Sequence, residues 1–186
     1  MELTTYTAVP PGPVLDGCVA VYRAAFGQPP YEEPPGEAEQ LRDRVSRYTG
    51  RDGFRLPVAS GPGGRPAGFA LGVTAHPGDW WRDKVAAAIG GAATQRWLGQ
   101  SCLEIVHVAV VPGGQRRGTG RRLMAALLAP PRPGTGVLSC HPEAKAAQDF
   151  YLTQGWQVIT AGFRLQPGQP GYWLMGIDLP QPAATA

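Results

Sequence analysis

The sequence predicts an α/β fold in which a central mixed β-sheet is flanked by helices. Segments with the two-residue period of strands alternate along the chain with segments that have the 3.6-residue period of helices. Strand pairs joined by short connections are expected toward both ends. One nearly continuous apolar run, residues 103–111, is typical of a strand buried on both faces. Interleaved strands and helices combined with hairpins indicate a mixed sheet that carries helices on its faces.

The first part of the chain is predicted to hold a strand, two helices and a hairpin. Residues 2–9 alternate and include Thr and Tyr, as strands do. Pro13 fits a helix start, the apolar residues up to Phe26 lie on one helical face, and Gly27 ends the helix. A proline-rich loop then leads to a helix over residues 37–48. Strands over 54–60 and 67–75, with a Gly/Pro turn between them, complete a hairpin.

Residues 76–100 are predicted to form a helical insertion between two strands. They contain Trp80, Trp81 and Trp97 and a run of small residues with helical spacing around Val85. Large aromatic side chains in such a segment are buried, cover a pocket as a lid, or form a dimer contact. The sequence leaves these three possibilities open.

The remaining elements alternate strand and helix and end in a second hairpin. In order they are a strand (103–111), a helix (121–129), a strand (136–140), a helix (143–154) and two strands (156–161 and 172–178). We find no internal repeat, so we expect one domain over residues 1–178 that includes the insertion. Residues 179–186 are expected to form a flexible tail.

The composition excludes several classes of protein. A formal net charge of +3 does not by itself predict a nucleic-acid-binding protein. Three cysteines, at positions 18, 102 and 140, do not form a disulfide framework and indicate a reducing compartment, which we expect to be the cytoplasm. No signal peptide and no apolar run of roughly 20 residues is present, so we expect no membrane partner. The three histidines are scattered, and no metal site is expected.

The clearest motif is the glycine-rich turn over residues 112–120, between a buried strand and a helix. Such a turn presents several backbone N–H groups in one direction, and the helix dipole adds positive potential there. Gly118 and Gly120 lack a Cβ, so a phosphate can approach their backbone closely. The nucleotide P-loop is excluded because no Gly-Lys-Ser/Thr follows, and the dinucleotide-binding fingerprint is also absent. A diphosphate is the ligand that this turn fits.

Three segments in this region resemble the GNAT superfamily of N-acetyltransferases. The turn reads Gln115-x-x-Gly118-x-Gly120, which is similar to the family's Q/R-x-x-G-x-G/A motif. The run from Leu103 to Pro112 resembles the family's fourth strand. Phe150-Tyr151-x-x-x-Gly155-Trp156 resembles its F-Y-x-x-x-G-F/W segment. The similarity is strong over residues 102–160, and the order of elements extends it more weakly over the whole chain.

The resemblance implies that acetyl-CoA, or another short acyl-CoA, is the cofactor. Its pyrophosphate would be bound by the loop residues Gln115, Arg116, Arg117, Gly118, Thr119 and Gly120. The backbone around Val108 and Val110 would pair with the pantetheine arm as an added strand does. Arg116 and Arg117, with Arg121 and Arg122, either reach CoA phosphates or form a solvated helix face. The same arginines leave nucleic-acid binding as an alternative, although no aromatic stacking set is interleaved with them.

Glu104 and Tyr151 are the catalytic candidates that the resemblance implies. A free alkyl amine is mostly protonated at neutral pH, so a base is expected. Glu104 matches the base position of some similar enzymes; in this chain it is a base, a carboxylate that only binds the amine, or an ordinary charge at the end of a strand. Tyr151 matches the general-acid position, and its phenol can donate a proton to the departing thiolate. His107, on the same strand as Glu104, is interpreted as a packed histidine rather than the base.

One further pair and one departure from the family pattern lie next to this region. Cys140 and His141 suggest a covalent mechanism. Neighbouring residues of a strand face opposite sides, however, and similar proteins transfer the acyl group directly. Similar proteins often carry Asn seven residues before the tyrosine, where this chain has Ala144. The departure concerns one contact to the cofactor and not the fold.

The acceptor is expected to be an amine, and a small molecule is preferred because no extended acidic or basic tract is present. In similar proteins the walls of its site come from the loop between the first two helices and from the last hairpin. Here the candidates are Phe26, Tyr31 and Glu32, with Trp80 and Trp81 of the insertion. A carboxylate of Glu32 or Glu33 could hold a cationic acceptor. Alternatives are a protein lysine or N-terminus as acceptor and a non-catalytic acyl-CoA-binding module; a homodimer is the default assembly.

Overall fold

The computed structural model describes residues 1–180 as an α/β protein. The strands in this part of the chain are β1 (Glu2–Tyr6), β2 (Leu56–Ser60), β3 (Pro66–Ala75), β4 (Cys102–Val110), β5 (Thr135–Cys140), β6 (Gln157–Phe163) and β7 (Tyr172–Asp178). The helices are α1 (Gly12–Phe26), α2 (Pro35–Thr49), α3 (Trp80–Ile89), α4 (Gly91–Trp97), α5 (Thr119–Leu128) and α6 (Lys145–Leu152).

The seven strands form a mixed sheet in the order β1-β2-β3-β4-β5-β7-β6. The β4–β5 pair is parallel, whereas the β1–β2, β2–β3, β5–β7 and β6–β7 pairs are antiparallel. The predicted fold class, a mixed sheet flanked by helices, is therefore confirmed. No helix within residues 1–180 has both the length and the apolar character that crossing a bilayer requires.

Contacts divide the chain into two compact units. Unit 1 comprises residues 1–73 and 106–129, and unit 2 comprises 74–105 and the chain from 130 onward. Strands β3 and β4 run through both units. The expectation of a single domain over residues 1–178 stays a prediction.

The core of unit 1 lies where α1 and α2 cover the strands. Leu15, Cys18, Val19 and Tyr22 form the buried stripe of α1. Ala38, Leu41 and Val45 form that of α2 with the same helical spacing. On β3, Gly68 permits a close approach of the neighbouring chain. A Cβ there would lie 2.9 Å from the Ala109 carbonyl oxygen and 3.0 Å from Leu123 Cδ1.

Unit 2 has a separate core to which α3 and α4 contribute. Val85, Trp97 and Leu98 are buried with Cys102, Val137 and Leu174. Trp97 fits because β7 has a glycine beneath it: a Cβ on Gly176 would lie 2.4 Å from Trp97 Cε3. The predicted helical stretch between β3 and β4 is thus confirmed as two helices, and its third tryptophan is a core residue.

Several predicted boundaries differ from the observed ones. Strand β1 ends at Tyr6, its last residue paired with β2, because Pro10 and Pro11 follow closely. Helix α5 begins earlier than predicted, at Thr119, because Gly118 takes the left-handed conformation of its N-cap. In the expected tail, Leu179 is buried, and its amide donates to the Gly134 carbonyl oxygen at 2.9 Å. Residues 181–186 of that tail lie outside the described residues.

Candidate active site

The turn between β4 and α5 has the backbone that a phosphate site needs. Gly118 has φ 79° and ψ −1° and is the N-cap of α5. Only glycine adopts this left-handed conformation without strain. A Cβ at Gly118 would point into open space, so the side of the turn it would occupy is free for a ligand. Gln115 steadies the turn, because its Nε2 donates to the Val110 carbonyl oxygen at 3.3 Å.

The first turn of α5 leaves backbone donors without partners inside the helix. Its first hydrogen bond runs from the Arg122 amide to the Gly118 carbonyl oxygen, at 3.1 Å. The amides of Gly118, Thr119, Gly120 and Arg121 precede that bond and have no intrahelical acceptor. The residues from Gln115 to Gly118 are exposed. The predicted cofactor residues of this loop therefore lie together in unit 1, at the positive end of a helix.

Two residues of the arginine-rich turn also contact the start of the chain. Thr119 is 2% exposed, and its hydroxyl donates to Met1 Sδ at 3.3 Å. Arg122 donates to the Met1 carbonyl oxygen at 3.2 Å. A phosphate role of Thr119 would therefore use its backbone amide, since its hydroxyl already has a partner. Arg116 and Arg117 are exposed at the turn itself.

The second half of β4 is the outer strand of unit 1. The first half of this strand lies in unit 2 and pairs there with β5, Leu103 with Gly136 and Glu104 with Val137. In unit 1 the second half lies beside β3, where the Val111 amide donates to the Ala67 carbonyl oxygen at 2.9 Å. Val108 and Val110 are half-buried on this outer strand. The edge of a sheet presents backbone groups with which an extended ligand can pair.

Glu104 is a buried carboxylate near the beginning of β4. It is 3% exposed and belongs to unit 2, where Arg82 of α3 is also buried, at 7% exposed. Arg82 donates to the Gly99 carbonyl oxygen at 2.9 Å. Burial, as the largest cause, and the charge of Glu104 raise the pKa of the Cys102 thiol to about 12, whereas the charge of Arg82 acts to lower it. A carboxylate and a guanidinium therefore act on the same buried part of unit 2.

Tyr151 lies near the end of α6 with its side chain 9% exposed. Its ring centroid is 5.2 Å from that of Phe150 and 5.7 Å from that of Trp156. After α6 the chain turns back toward the helix at Gly155, which has φ 87°. The Trp156 amide then donates to the Tyr151 carbonyl oxygen at 3.2 Å. The F-Y-x-x-x-G-W segment is therefore a compact helix end that holds the tyrosine in place.

The end of β5 does not form a Cys–His pair. The Cys140 thiol donates to the backbone carbonyl oxygen of His141 at 3.8 Å and not to its imidazole. Burial raises the pKa of Cys140 to about 11. His141 Nδ1 accepts the Glu143 amide at 3.2 Å, and its ring packs edge-on against Tyr172. A thiol with this pKa is a poor nucleophile at neutral pH. Within residues 1–180, no three His, Cys, Asp or Glu side chains form a group that could hold a metal ion.

A polar and aromatic group of residues connects α1, α2 and β4 in unit 1; we call it the Tyr22 cluster (Tyr22, Phe26, Tyr31, Glu33, Glu37, Arg44 and His107). The Tyr22 hydroxyl donates to Glu33 Oε2 at 2.6 Å. The Glu33 amide donates to the Phe26 carbonyl oxygen at 2.9 Å, which fixes the loop to the end of α1. The rings of Phe26 and Tyr31 meet edge-on, with centroids 5.0 Å apart.

His107 is held as a neutral imidazole in this cluster. Arg44 Nη1 lies 2.8 Å from His107 Nε2. Because a guanidinium only donates, Nε2 is the acceptor and the proton is on Nδ1. Burial, and then the charge of Arg44, lower the pKa of His107 from 6.5 to about 3. Arg44 Nη2 also lies 3.5 Å from Glu37 Oε2. The interpretation of His107 as a packed histidine fits this geometry.

The residues predicted to line an acceptor site belong to both units. Phe26 and Tyr31 are in contact in unit 1, whereas the neighbouring Glu32 is exposed with φ 48°. In unit 2, Trp81 packs against the core, and Trp80 is 55% exposed on the first turn of α3.

Sequence reasoning missed Tyr22, Arg44 and Arg82 as residues of interest. Helical spacing could have identified Arg44, because it lies three residues after the buried Leu41 and one before Val45. Tyr22 was predicted to lie on the apolar face of α1, where its hydroxyl gave no separate signal. In the sequence, nothing distinguishes Arg82 from an exposed helical arginine. Its burial results from the packing of α3 against the rest of unit 2.

Comparison with known proteins points to one family. The model of the acetyltransferase (GNAT) family matches residues 19–156. A GCN5-like protein acetyltransferase of Mycobacterium tuberculosis is 28% identical over 138 residues, which cover 69% of this chain and 66% of that protein. The chain thus spans about two thirds of the length of this relative.

Two solved structures have the same fold. Arabidopsis thaliana NAA60, solved with a bisubstrate analogue, is 15% identical with a TM-score of 0.62, covering 95% of this chain and 98% of that one. The ribosomal-protein-S18-alanine N-acetyltransferase of Escherichia coli is 14% identical with a TM-score of 0.61, covering 100% and 99%. At these identities the similarity concerns the fold alone.

Proposed function

The chain belongs to the GNAT family of acetyltransferases, and we propose that it transfers an acetyl group from acetyl-CoA directly to an amine. The observation that carries this proposal is the turn at Gly118, whose left-handed backbone precedes the α5 amides that have no acceptor within the helix. Family membership supports an acyl-CoA as donor. Acetyl in preference to another short acyl group is part of the proposal.

The chain's own residues would hold two parts of the donor, the pyrophosphate and the pantetheine arm. The amides from Gln115 to Gly120 would bind the pyrophosphate, because a helix N-terminus with free N–H groups favours an anion. Arg116 and Arg117 would add charge at the exposed side of the turn. Val108 and Val110 would pair with the pantetheine through their backbone, as in strand addition. Bound acetyl-CoA would supply the acetyl group as an activated thioester.

Two side chains would move the protons. Glu104 would accept a proton from the ammonium group of the acceptor, directly or through a water molecule. Tyr151 Oη would donate a hydrogen bond or a proton to the leaving sulfur, because a phenol with a reference pKa of about 10 stays protonated at neutral pH.

The proposed acceptor is a small amine that contacts Phe26 and Tyr31 in unit 1. A protein amino group is the second candidate. It is favoured by the similarity to the Mycobacterium tuberculosis relative, which is a GCN5-like protein acetyltransferase. We further propose a cytoplasmic homodimer. The three free, buried cysteines support a reducing compartment, and light scattering of the purified protein tests the dimer.

The first test is a thermal melt with acetyl-CoA, CoA and ATP. A ligand at 100 times its Kd adds roughly 2.7 kcal/mol to the free energy of unfolding. We expect acetyl-CoA and CoA, but not ATP, to raise the Tm by several degrees. No shift at millimolar acetyl-CoA would contradict the assignment of the loop.

Turnover then separates an enzyme from a binding module. Release of the CoA thiol is measured with a panel of small amines and with peptides that carry lysine or a free N-terminus. Glu104→Gln and Tyr151→Phe should keep the melting shift and lose roughly 10²-fold in kcat. A melting shift without turnover on any acceptor would favour the non-catalytic module. Binding to DNA that falls steeply with salt would favour the nucleic-acid alternative.

A further inference from the structure

In unit 1, the carboxylate of Glu33 is partly buried and lies close to aromatic rings. Glu33 is half-buried, and Tyr22 donates to its Oε2 at 2.6 Å. The half-buried rings of Phe26 and Tyr31 meet edge-on beside it, because the Glu33 amide is fixed to the Phe26 carbonyl oxygen. A carboxylate combined with aromatic faces is the chemistry that binds organic cations.

The charges around Glu33 leave a negative excess. The groups that face it are Tyr22 on α1, Glu37 and Arg44 on α2, and His107 through its contact with Arg44. His107 is neutral at physiological pH, since burial and Arg44 lower its pKa to about 3. Arg44 is engaged by Glu37 at 3.5 Å and by His107 at 2.8 Å. Two carboxylates and one guanidinium therefore leave one net negative charge.

We propose that the Tyr22 cluster binds an ammonium or guanidinium group of the acceptor, with Glu33 as the counter-ion and Phe26 and Tyr31 as walls. This inference rests on the proposed function, because it takes the acceptor to be an amine. It identifies the acceptor as a cation-bearing molecule and Glu33 as a specificity-determining residue. A neutral His107 is part of the site, because a charged imidazole would repel the ligand.

The adjacent residues Glu32 and Glu33 differ in their exposure to water. Glu32 is exposed and is surrounded by water, so a cation gains little by pairing with it. Glu33 loses part of its hydration, and burial is the main reason that its pKa is raised above its ordinary value. A cation that enters the cluster would add a positive charge that favours the ionised form of Glu33. Specificity is therefore expected at position 33 and not at position 32.

The pH dependence of cation binding follows from the direction of this pKa shift. Binding requires ionised Glu33, and a raised pKa means that the carboxylate becomes protonated at a higher pH than an ordinary glutamate. Cation affinity is therefore complete above the pKa of Glu33 and falls as the pH decreases through it. Tyr22 does not interfere, because burial and Glu33 raise the pKa of its phenol far above neutrality.

The test uses 1,4-diaminobutane as the probe and butane-1,4-diol as its uncharged counterpart of equal chain length. Binding to the ¹⁵N-labelled full chain is followed at pH 7.5 from the amide signals of Tyr31 and Glu33. We compare the wild type with Glu33→Gln, and with Glu32→Gln, which removes the same charge one residue away. We expect the diamine to bind the wild type and Glu32→Gln alike, at least about tenfold more weakly to Glu33→Gln, and the diol not to bind.

Equal affinity of the wild type and Glu33→Gln, or an equal loss in both variants, would overturn the inference. A pH titration of the wild type needs no variant, and an affinity that is constant as Glu33 becomes protonated would also overturn it. Turnover is not used, so the outcomes remain separable from the proposed function. Acetyl-CoA binding without Glu33-dependent diamine binding refutes this site alone, whereas the reverse result refutes the cofactor assignment alone.

Discussion

His107 and Glu33 belong to the same cluster, yet burial moves their pKa values in opposite directions. Loss of hydration penalises the charged form of any group, so it lowers the pKa of the histidine and raises that of the glutamate. Both residues are thereby biased toward neutrality. The difference lies in their partners, because Arg44 repels a proton on His107, whereas a bound cation would favour ionised Glu33.

Replacing His107 by glutamine should reduce the sensitivity of the fold to acid. With an ordinary pKa of 6.5 and a folded-state pKa of about 3, the histidine contributes stability in full above pH 6.5. That contribution decreases as the pH falls toward 3, since the unfolded state then binds the additional proton. Urea unfolding at pH 7.0, 5.5 and 4.5 should show a steeper loss for the wild type than for His107→Gln. Parallel curves would mean that the neutral imidazole is not enforced by the fold.

At the level of elements, the features that could be predicted are those that depend on residues close together in the sequence. The order of strands and helices, the turn before α5 and the end of α6 follow from periodicity and from glycine positions such as Gly118 and Gly155. The packing of Trp97 on Gly176 could not be predicted, because the two residues are distant in sequence and nothing local marks either as a partner. For the same reason Trp97 was placed among possible lid residues.

In the candidate site, too, features within one contiguous segment could be predicted, whereas contacts between residues distant in the sequence could not. The loop amides were predictable, because one contiguous segment contains all of them. The selection of Glu33 over Glu32 was not, because it depends on which carboxylate turns toward Tyr22 on a different helix. The roles proposed for Glu104 and Tyr151 stay predictions until the variants are measured.

Two glycine substitutions in the turn between β4 and α5 should have different effects. Gly118→Ala places a side chain at φ 79°, which costs roughly 1–2 kcal/mol, and its Cβ occupies the open side of the turn. Gly113→Ala is the matched control, because Gly113 has no positive φ and nothing within 4 Å of a Cβ. We expect Gly118→Ala to lower the Tm and to reduce the shift given by acetyl-CoA. A similar loss in Gly113→Ala would indicate a general effect on the turn.

For the whole molecule, the distribution of charge favours a site for one anion over a nucleic-acid surface. The net charge is +3, and several arginines have acidic partners within the protein. Arg42 pairs with Asp16, Arg23 with Glu39, and Arg96 holds both oxygens of Asp178, at 2.8 and 2.7 Å. Arg116, Arg117 and Arg121, in contrast, are exposed at or next to the turn beside Gly118.

The thiols of the folded protein should be chemically silent. Cys18, Cys102 and Cys140 are all free and buried. Burial is the main cause that raises their pKa values, to about 12, 12 and 11 respectively. Because the thiolate is the reactive form, we expect negligible reaction with a disulfide reagent at pH 8 and three equivalents in denaturant. Rapid modification of one thiol in the native protein would contradict the burial of that cysteine.

Because its native thiols are expected to be unreactive, this protein is suited to spectroscopic labelling at an introduced cysteine. A cysteine introduced at an exposed position such as Glu32 or Trp80 would be the one that a maleimide dye modifies, without removal of the natural three. A fluorophore at position 32 would report events in the loop before α2, and one at position 80 would report events at the start of α3. Stopped-flow mixing with donor or amine could then time each binding step separately.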